Sequence, residues 1–165
     1  MVIGILSDTH GFFHPALPEM LADADLILHA GDIGSTDVLD RLETIAPTHA
    51  VWGNVDGREI RLRTAEHQRF RFGGVTFWMT HIAGRPGHWQ RGMGKALAAE
   101  TPAVFISGHS HILRIERVRE LGRMLFINPG AAGRQGLHQV KTCVRLHIDN
   151  GALNQADVVH LDEDP

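Results

Sequence analysis

Five short apolar runs in this chain each lead into Asp, Asn or His beside a small residue, and that recurrence constrains the fold most. Val2-Ile-Gly-Ile-Leu6 leads to Asp8 and His10, and Leu26-Ile-Leu28 to Asp32 within His29-Ala-Gly-Asp32. His49-Ala-Val-Trp52 leads to Asn54 in Gly53-Asn-Val-Asp56, and Val75-Thr-Phe-Trp-Met-Thr80 ends at His81. Ala103-Val-Phe-Ile106 runs into Gly108-His-Ser-His111. Short apolar runs bounded by turn residues read as buried strands. In open α/β sheets ligands bind beyond the carboxyl ends of the strands, so these loops are expected to converge on one edge.

Between the first three runs lie Pro15 to Ala22 and Thr36 to Ile45, both with helical spacing. Val38, Leu39, Leu42 and Ile45 fall on one stripe, which Ser35 or Thr36 can cap. Strand–helix–strand–helix–strand implies a parallel sheet with crossover helices. Gln68 to Phe72 and Val75 to Thr80 then flank a Gly73-Gly74 hairpin turn. Trp89 to Ala99 reads as a helix. Ile112 to Val118, Arg123 to Ile127, Val140 to Ile148 and Ala152 to Val159 read as strands, mainly antiparallel. Two facing sheets with helices outside, in a single domain over residues 1–165, accommodate these elements.

Composition narrows the function classes. The chain is 43% hydrophobic and 21% charged, near globular averages, which excludes disorder. Its formal charge of −3 offers no basic excess for a nucleic-acid duplex. No run reaches the ~18 apolar residues of a membrane span, and the start lacks a signal-peptide pattern. The one cysteine, Cys143, excludes an internal disulfide and reads as core; a reducing, cytoplasmic setting is expected.

Taken singly, each polar group has a structural explanation. Asp8 suits a turn or helix cap, Asn54-Val-Asp56-Gly57 a turn, and His81 a half-buried strand end. Together, Asp8, His10, Asp32, Asn54, His81, His109 and His111 at five strand ends point to a metal site. They are too many for one tetrahedral zinc and suit two divalent cations sharing a carboxylate. Mixed imidazole and oxygen donors favour transition metals over calcium or magnesium. Manganese leads that expectation, with nickel, cobalt, iron and zinc open. Such a pair clamps a phosphate and activates a water.

Asp8-x-His10, Gly31-Asp32, Gly53-Asn54 and Gly108-His109-x-His111, with His81 between the last two, resemble the calcineurin-like metallophosphoesterase superfamily. The small size and the Asn128-Pro-Gly130 turn look like its short, YfcE-type phosphodiesterase branch. The resemblance implies a four-layer αββα sandwich and in-line attack on phosphorus by a metal-bridging hydroxide. It assigns Asp8, His10, Asp32 and His111 to one metal, and Asp32, Asn54, His81 and His109 to the other. Many relatives carry Gly-Asn-His-Glu, whose His helps protonate the leaving group. Here Val55 and Asp56 follow Asn54, so Asp56 either orients substrate, passes a proton or stabilises the turn. Ile82 stands after His81 where relatives often have Gly. Arg85, His88, Trp89 and Arg91 are candidates to recognise phosphate or stack on a base, and Arg134 is a further phosphate clamp. His29 is placed behind the ligands or in the core.

Two nucleotide-binding readings fail on the text: Gly87 to Gly92 lacks the Lys-Ser/Thr of a Walker loop, and Gly92-Met-Gly-Lys-Ala-Leu97 breaks the dinucleotide fingerprint. The main rival is a non-catalytic interaction scaffold of the same fold, similar to the retromer scaffold subunit. The expected partner is a small phosphoester, with an exposed edge of the second sheet offering a route to a homo-oligomer.

Overall fold

Alternation within β1 (Val2–Leu6) sets the layering: Ile3 and Ile5 face a second sheet, while Leu6 turns to the outer helices, as a period of two requires. The computed structural model describes residues 1–162, so the last three residues of the expected 1–165 domain lie outside it. β1 pairs in parallel with β2 (Leu26–His29), which pairs in parallel with β3 (Thr48–Ala50). β11 (Thr142–Asp149) adds antiparallel to β1 and carries β12 (Ala152–His160), giving the order β12-β11-β1-β2-β3. α1 (Leu17–Met20), α2 (Thr36–Glu43) and α3 (Arg58–Arg63) cover its outer face with Leu17, Val38, Leu39, Leu42 and Ile60.

The second sheet has the order β4-β5-β8-β10-β9. Its strands are β4 (His67–Phe72), β5 (Val75–Thr80), β8 (Val104–Ile106), β9 (Arg114–Val118) and β10 (Met124–Asn128). Val75, Phe77, Met79, Val104, Ile106 and Ile127 meet Ile3, Ile5, Leu26 and Leu28 between the sheets. Leu97 of α4 (Met93–Ala99) packs with Trp78, Phe105 and Phe126 on the far side. The result is the four-layer αββα sandwich, with a small hairpin of β6 (Gly84–Arg85) and β7 (His88–Trp89) beside it.

Most local expectations hold. Ser35 Oγ accepts from the Asp37 N–H at 3.2 Å and caps α2. Phe72 pairs with Val75 across Gly73-Gly74, both at positive φ, the signature of a two-residue hairpin turn. Other expectations change for identifiable reasons. The helix expected over Pro15 to Ala22 shrinks to four residues, with Pro18 unable to donate a hydrogen bond. Trp89 joins β7 rather than a helix, and Gly92 at φ 87° delays α4 to Met93. α3 was not expected, because its one buried residue, Ile60, makes no apolar stripe. The late strands do pair mainly antiparallel as expected, β9 with β10 and β11 with β12, while β10 runs parallel to β8 and so leaves the second sheet mixed.

Candidate metal centre

Loops after β1, β2, β3, β5 and β8 meet at one edge of the sandwich and are stitched by backbone hydrogen bonds. The Asp8 and His10 N–H groups donate to the Gly31 and Asp32 carbonyls at 3.0 and 2.9 Å. The Gly108 N–H donates to the His81 carbonyl at 3.0 Å, and the Gly133 N–H to that of Asp8 at 3.1 Å. The glycines beside the ligands are needed for this approach. A Cβ on Gly53 would fall on the Asp32 carboxylate, and one on Gly108 on the Ser7 hydroxyl.

The six Asp and His candidates assemble into two triads. Asp8, His10 and His111 form one and Asp32, His81 and His109 the other, with ligand atoms in each within 4.8 Å of one another. His111 Nε2 is 3.1 Å from Asp8 Oδ1 and 3.4 Å from His10 Nε2. Asp32 links the triads: Oδ1 lies 3.3 Å from His81 Nε2, and Oδ2 3.9 Å from His10 Nε2. Asn54 is exposed and lines a cavity of about 370 Å³ with His81 and Arg91.

Two orphaned atoms show that this donor set fits divalent cations. His81 Nδ1 donates to the Ala30 carbonyl at 2.7 Å, which leaves Nε2 as a lone-pair donor. Both His81 Nε2 and Asp8 Oδ1 are buried without a hydrogen-bond partner among the described residues, a costly condition unless a ligand meets them. Asp8 Oδ2, by contrast, accepts from the His109 N–H at 3.1 Å. The electrostatics agree. Burial disfavours a charged His81, yet Asp32 and Asp8 outweigh it and raise its pKa. The Asp8 carboxylate, its Oδ1 3.1 Å from His111 Nε2, raises the His111 pKa against its burial. Asp32 is held low by His81 and the Val55 N–H despite its own burial. Surroundings that favour an imidazolium favour a divalent cation for the same reason.

Backbone conformation marks the same residues. Seven non-glycine residues among those described have positive φ, and five of them are candidate ligands: Asp8, His10, Asp32, His109 and His111, at 48° to 68°. Such conformations cost energy and concentrate at functional sites, and Asp and His tolerate them better than most residues.

Three buried residues hold the loops. Asp56 is 3% exposed, and its carboxylate accepts from the Ile33, Gly34 and Gly53 N–H groups at 3.1, 2.8 and 2.8 Å. Of the roles open to it from sequence, this is the turn-stabilising one. His29 Nδ1 accepts from the Gly31 N–H, so Nε2 donates to Thr9 Oγ1, which donates to the Ile33 carbonyl. Burial pushes the His29 pKa down to about 4 and keeps it neutral. Asn128 Nδ2 donates to the Gly108 carbonyl at 2.8 Å and to Ser110 Oγ at 3.0 Å, supporting the Gly-His-Ser-His loop. The Asn128-Pro-Gly130 turn was visible in sequence, but this contact spans 20 residues and was not.

The remaining candidates separate. Arg85 and His88 line a cavity with His109. Trp89 is half-buried, its ring packing against Phe105 and Phe126 with centroids 5.8 and 5.6 Å away. The Arg134 guanidinium stacks 3.9 Å over Phe12. Cys143 is buried with its thiol pKa pushed up to about 12, which excludes a thiolate nucleophile.

This fold and paired ligand set define a metal-dependent phosphoesterase. The chain belongs to the calcineurin-like phosphoesterase superfamily, whose domain model matches residues 1–151. A probable metallophosphoesterase of Methanothermobacter thermautotrophicus is 37% identical over 162 residues, covering 93% of this chain and 90% of that protein. One from Methanocaldococcus jannaschii is 32% identical over 137 residues, covering 79% of this chain and 68% of that protein. Among solved structures, a predicted phosphoesterase of Streptococcus pneumoniae has a TM-score of 0.72 at 21% identity, covering 99% of this chain and 91% of that one. Zinc-complexed Vps29 of Entamoeba histolytica has a TM-score of 0.73 at 20% identity, covering 98% of this chain and all of that one. At these identities the structural likeness speaks to fold alone.

Proposed function

We propose that the protein is a dinuclear phosphodiesterase that uses manganese and cleaves small phosphoesters in the cytoplasm. The observation that carries this reading is Asp32, whose two carboxylate oxygens face histidines of different triads. Asp8, His10, Asp32 and His111 would hold one cation, and Asp32, Asn54, His81 and His109 the other. When bound, the two cations supply positive charge for a phosphoryl oxygen and lower the pKa of an attacking water. The chain's own residues do the rest. His81 is kept in one tautomer by Ala30, the Val55 N–H fixes Asp32 at 3.1 Å, and Asp56 locks the loops that carry Asp32 and Asn54. Because the Asp56 carboxylate is buried and accepts three backbone N–H groups, it serves to hold the Asn54 loop rather than to meet the departing oxygen. Leaving groups that need no proton are therefore favoured, which suits aryl and other activated diesters.

Hydrolysis of bis(p-nitrophenyl) phosphate by metal-stripped protein, with and without Mn²⁺ and beside p-nitrophenyl phosphate, tests this reading. Metal-restored diester cleavage that outpaces the monoester is expected. Silence with Mn²⁺, Co²⁺, Ni²⁺ and Zn²⁺ from folded protein would overturn it. The scaffold is the second reading, favoured by Ile112 and Leu137, which are 64% and 103% exposed and line a cavity with His109 and His111. A scaffold would keep its partner in Asp32→Ala. The free edges of β4 and β9 are where a second copy of the chain would pair.

A further inference from the structure

A cavity beside the triads shares His109 with them but is not lined by Asn54, and the catalytic reading leaves it unused. It has a volume of about 480 Å³, within the range that holds small organic ligands. His109 forms one wall. Ala83, Ile112 and Phe126 contribute apolar surface, while Arg85 and Arg114 bring two guanidinium groups and His88 an imidazole. Among the described residues no Asp or Glu lines it, although the chain as a whole carries a formal charge of −3. Glu116 approaches Arg114 at 3.4 Å, but only through Nη1, so its other nitrogens remain available. Arg85 stands on the exposed β6–β7 hairpin, while Arg114 comes from β9. The two cations thus reach one cavity from separate elements.

We propose that this cavity is a subsite for a second phosphate, carried on the ester substituent of the substrate. The proposal rests on the phosphoesterase reading and narrows its substrate class to phosphoesters with two phosphate groups joined by a partly apolar spacer. One phosphate lies at the triads. The other is gripped by Arg85 and Arg114, whose planar donor forks match phosphate oxygens, and the spacer rests on Ile112 and Phe126.

Calorimetric binding to Mn²⁺-loaded protein separates this from catalysis, with adenosine 5′-monophosphate and adenosine 3′,5′-bisphosphate as probes. The bisphosphate is expected to bind at least about tenfold more tightly, the scale of one charge-assisted hydrogen bond. Arg85→Ala and Arg114→Ala should each shrink that preference, whereas Arg117→Ala, outside the cavity, should retain it. Arg85 is exposed on a hairpin, so its variant reports even if Arg114→Ala loosens β9. Equal affinities in the unaltered protein, or a preference that survives both substitutions, would overturn the subsite. If the preference holds while bis(p-nitrophenyl) phosphate resists every metal, the subsite stands and the catalytic reading falls.

Discussion

His10 Nε2 and His111 Nε2 stand 3.4 Å apart although 101 residues separate them in the chain. Two nitrogens each about 2.1 Å from one tetrahedral ion would be about 3.4 Å apart. Both residues hold positive φ at this spacing.

Divalent metal should stabilise the fold, because it satisfies Asp8 Oδ1 and His81 Nε2, which otherwise lie buried and unpartnered. Mn²⁺ at about 100 times its dissociation constant contributes about 2.7 kcal/mol, or roughly 5–10 °C in Tm for a chain of this size. Thermal melts of stripped and reloaded protein check this, and an unchanged Tm would count against a built metal centre.

Asp32→Ala should remove the shared carboxylate and impair both ion sites together. Affinity should fall by more than about 100-fold, beyond the usual effect of losing an outer partner. Metal titration of the variant should show neither site at its original strength. One site binding normally would show that Asp32 serves a single triad.

Asp56 predicts a split between stability and chemistry. Asp56→Ala leaves three backbone N–H groups without acceptors and should destabilise the fold by about 3 kcal/mol or more. Asp56→Asn retains one acceptor oxygen and should cost less. Denaturant unfolding measures the difference. Among aryl phosphodiesters of graded leaving-group pKa, Asp56→Asn should leave the slope of log(kcat/KM) unchanged. A steeper slope would restore a proton-transfer role to Asp56.

His29 makes stability depend on pH in a defined direction. Its folded pKa is depressed to about 4 from 6.5, so below pH 6.5 the unfolded chain binds the extra proton and folding weakens. The contribution is intact above pH 6.5 and declines until about pH 4, at about 1.4 kcal/mol per unit. The stability advantage of the metal-free unaltered protein over His29→Gln should therefore shrink by roughly 3 kcal/mol from pH 7 to pH 4. A constant difference across that range would show that His29 takes up its proton equally in the folded and unfolded states.

Much of the site was legible because its signals are local. A strand is announced by its own apolar run, and Asp8, Asp32, His81 and His109 each follow one within a few residues. Trp89 shows where local reading stops. Its neighbours Arg85, His88 and Arg91 suggested a recognition loop, yet the ring packs against Phe105 and Phe126, residues distant in sequence. α3 escaped notice for the opposite reason: Ile60 is its one buried residue, so no periodic stripe signalled it.

Residue type and spacing alone marked out the main strands, the glycines beside the ligands and the seven candidate donors, since each depends on nearest neighbours. Tertiary structure decided how those donors divide, because Asp32 can face two histidines only where separate strand ends meet. It also decided what the buried acid does. Asp56 could be donor, clamp or latch until folding brought the Ile33 and Gly34 N–H groups to its oxygens and made it the latch of these loops.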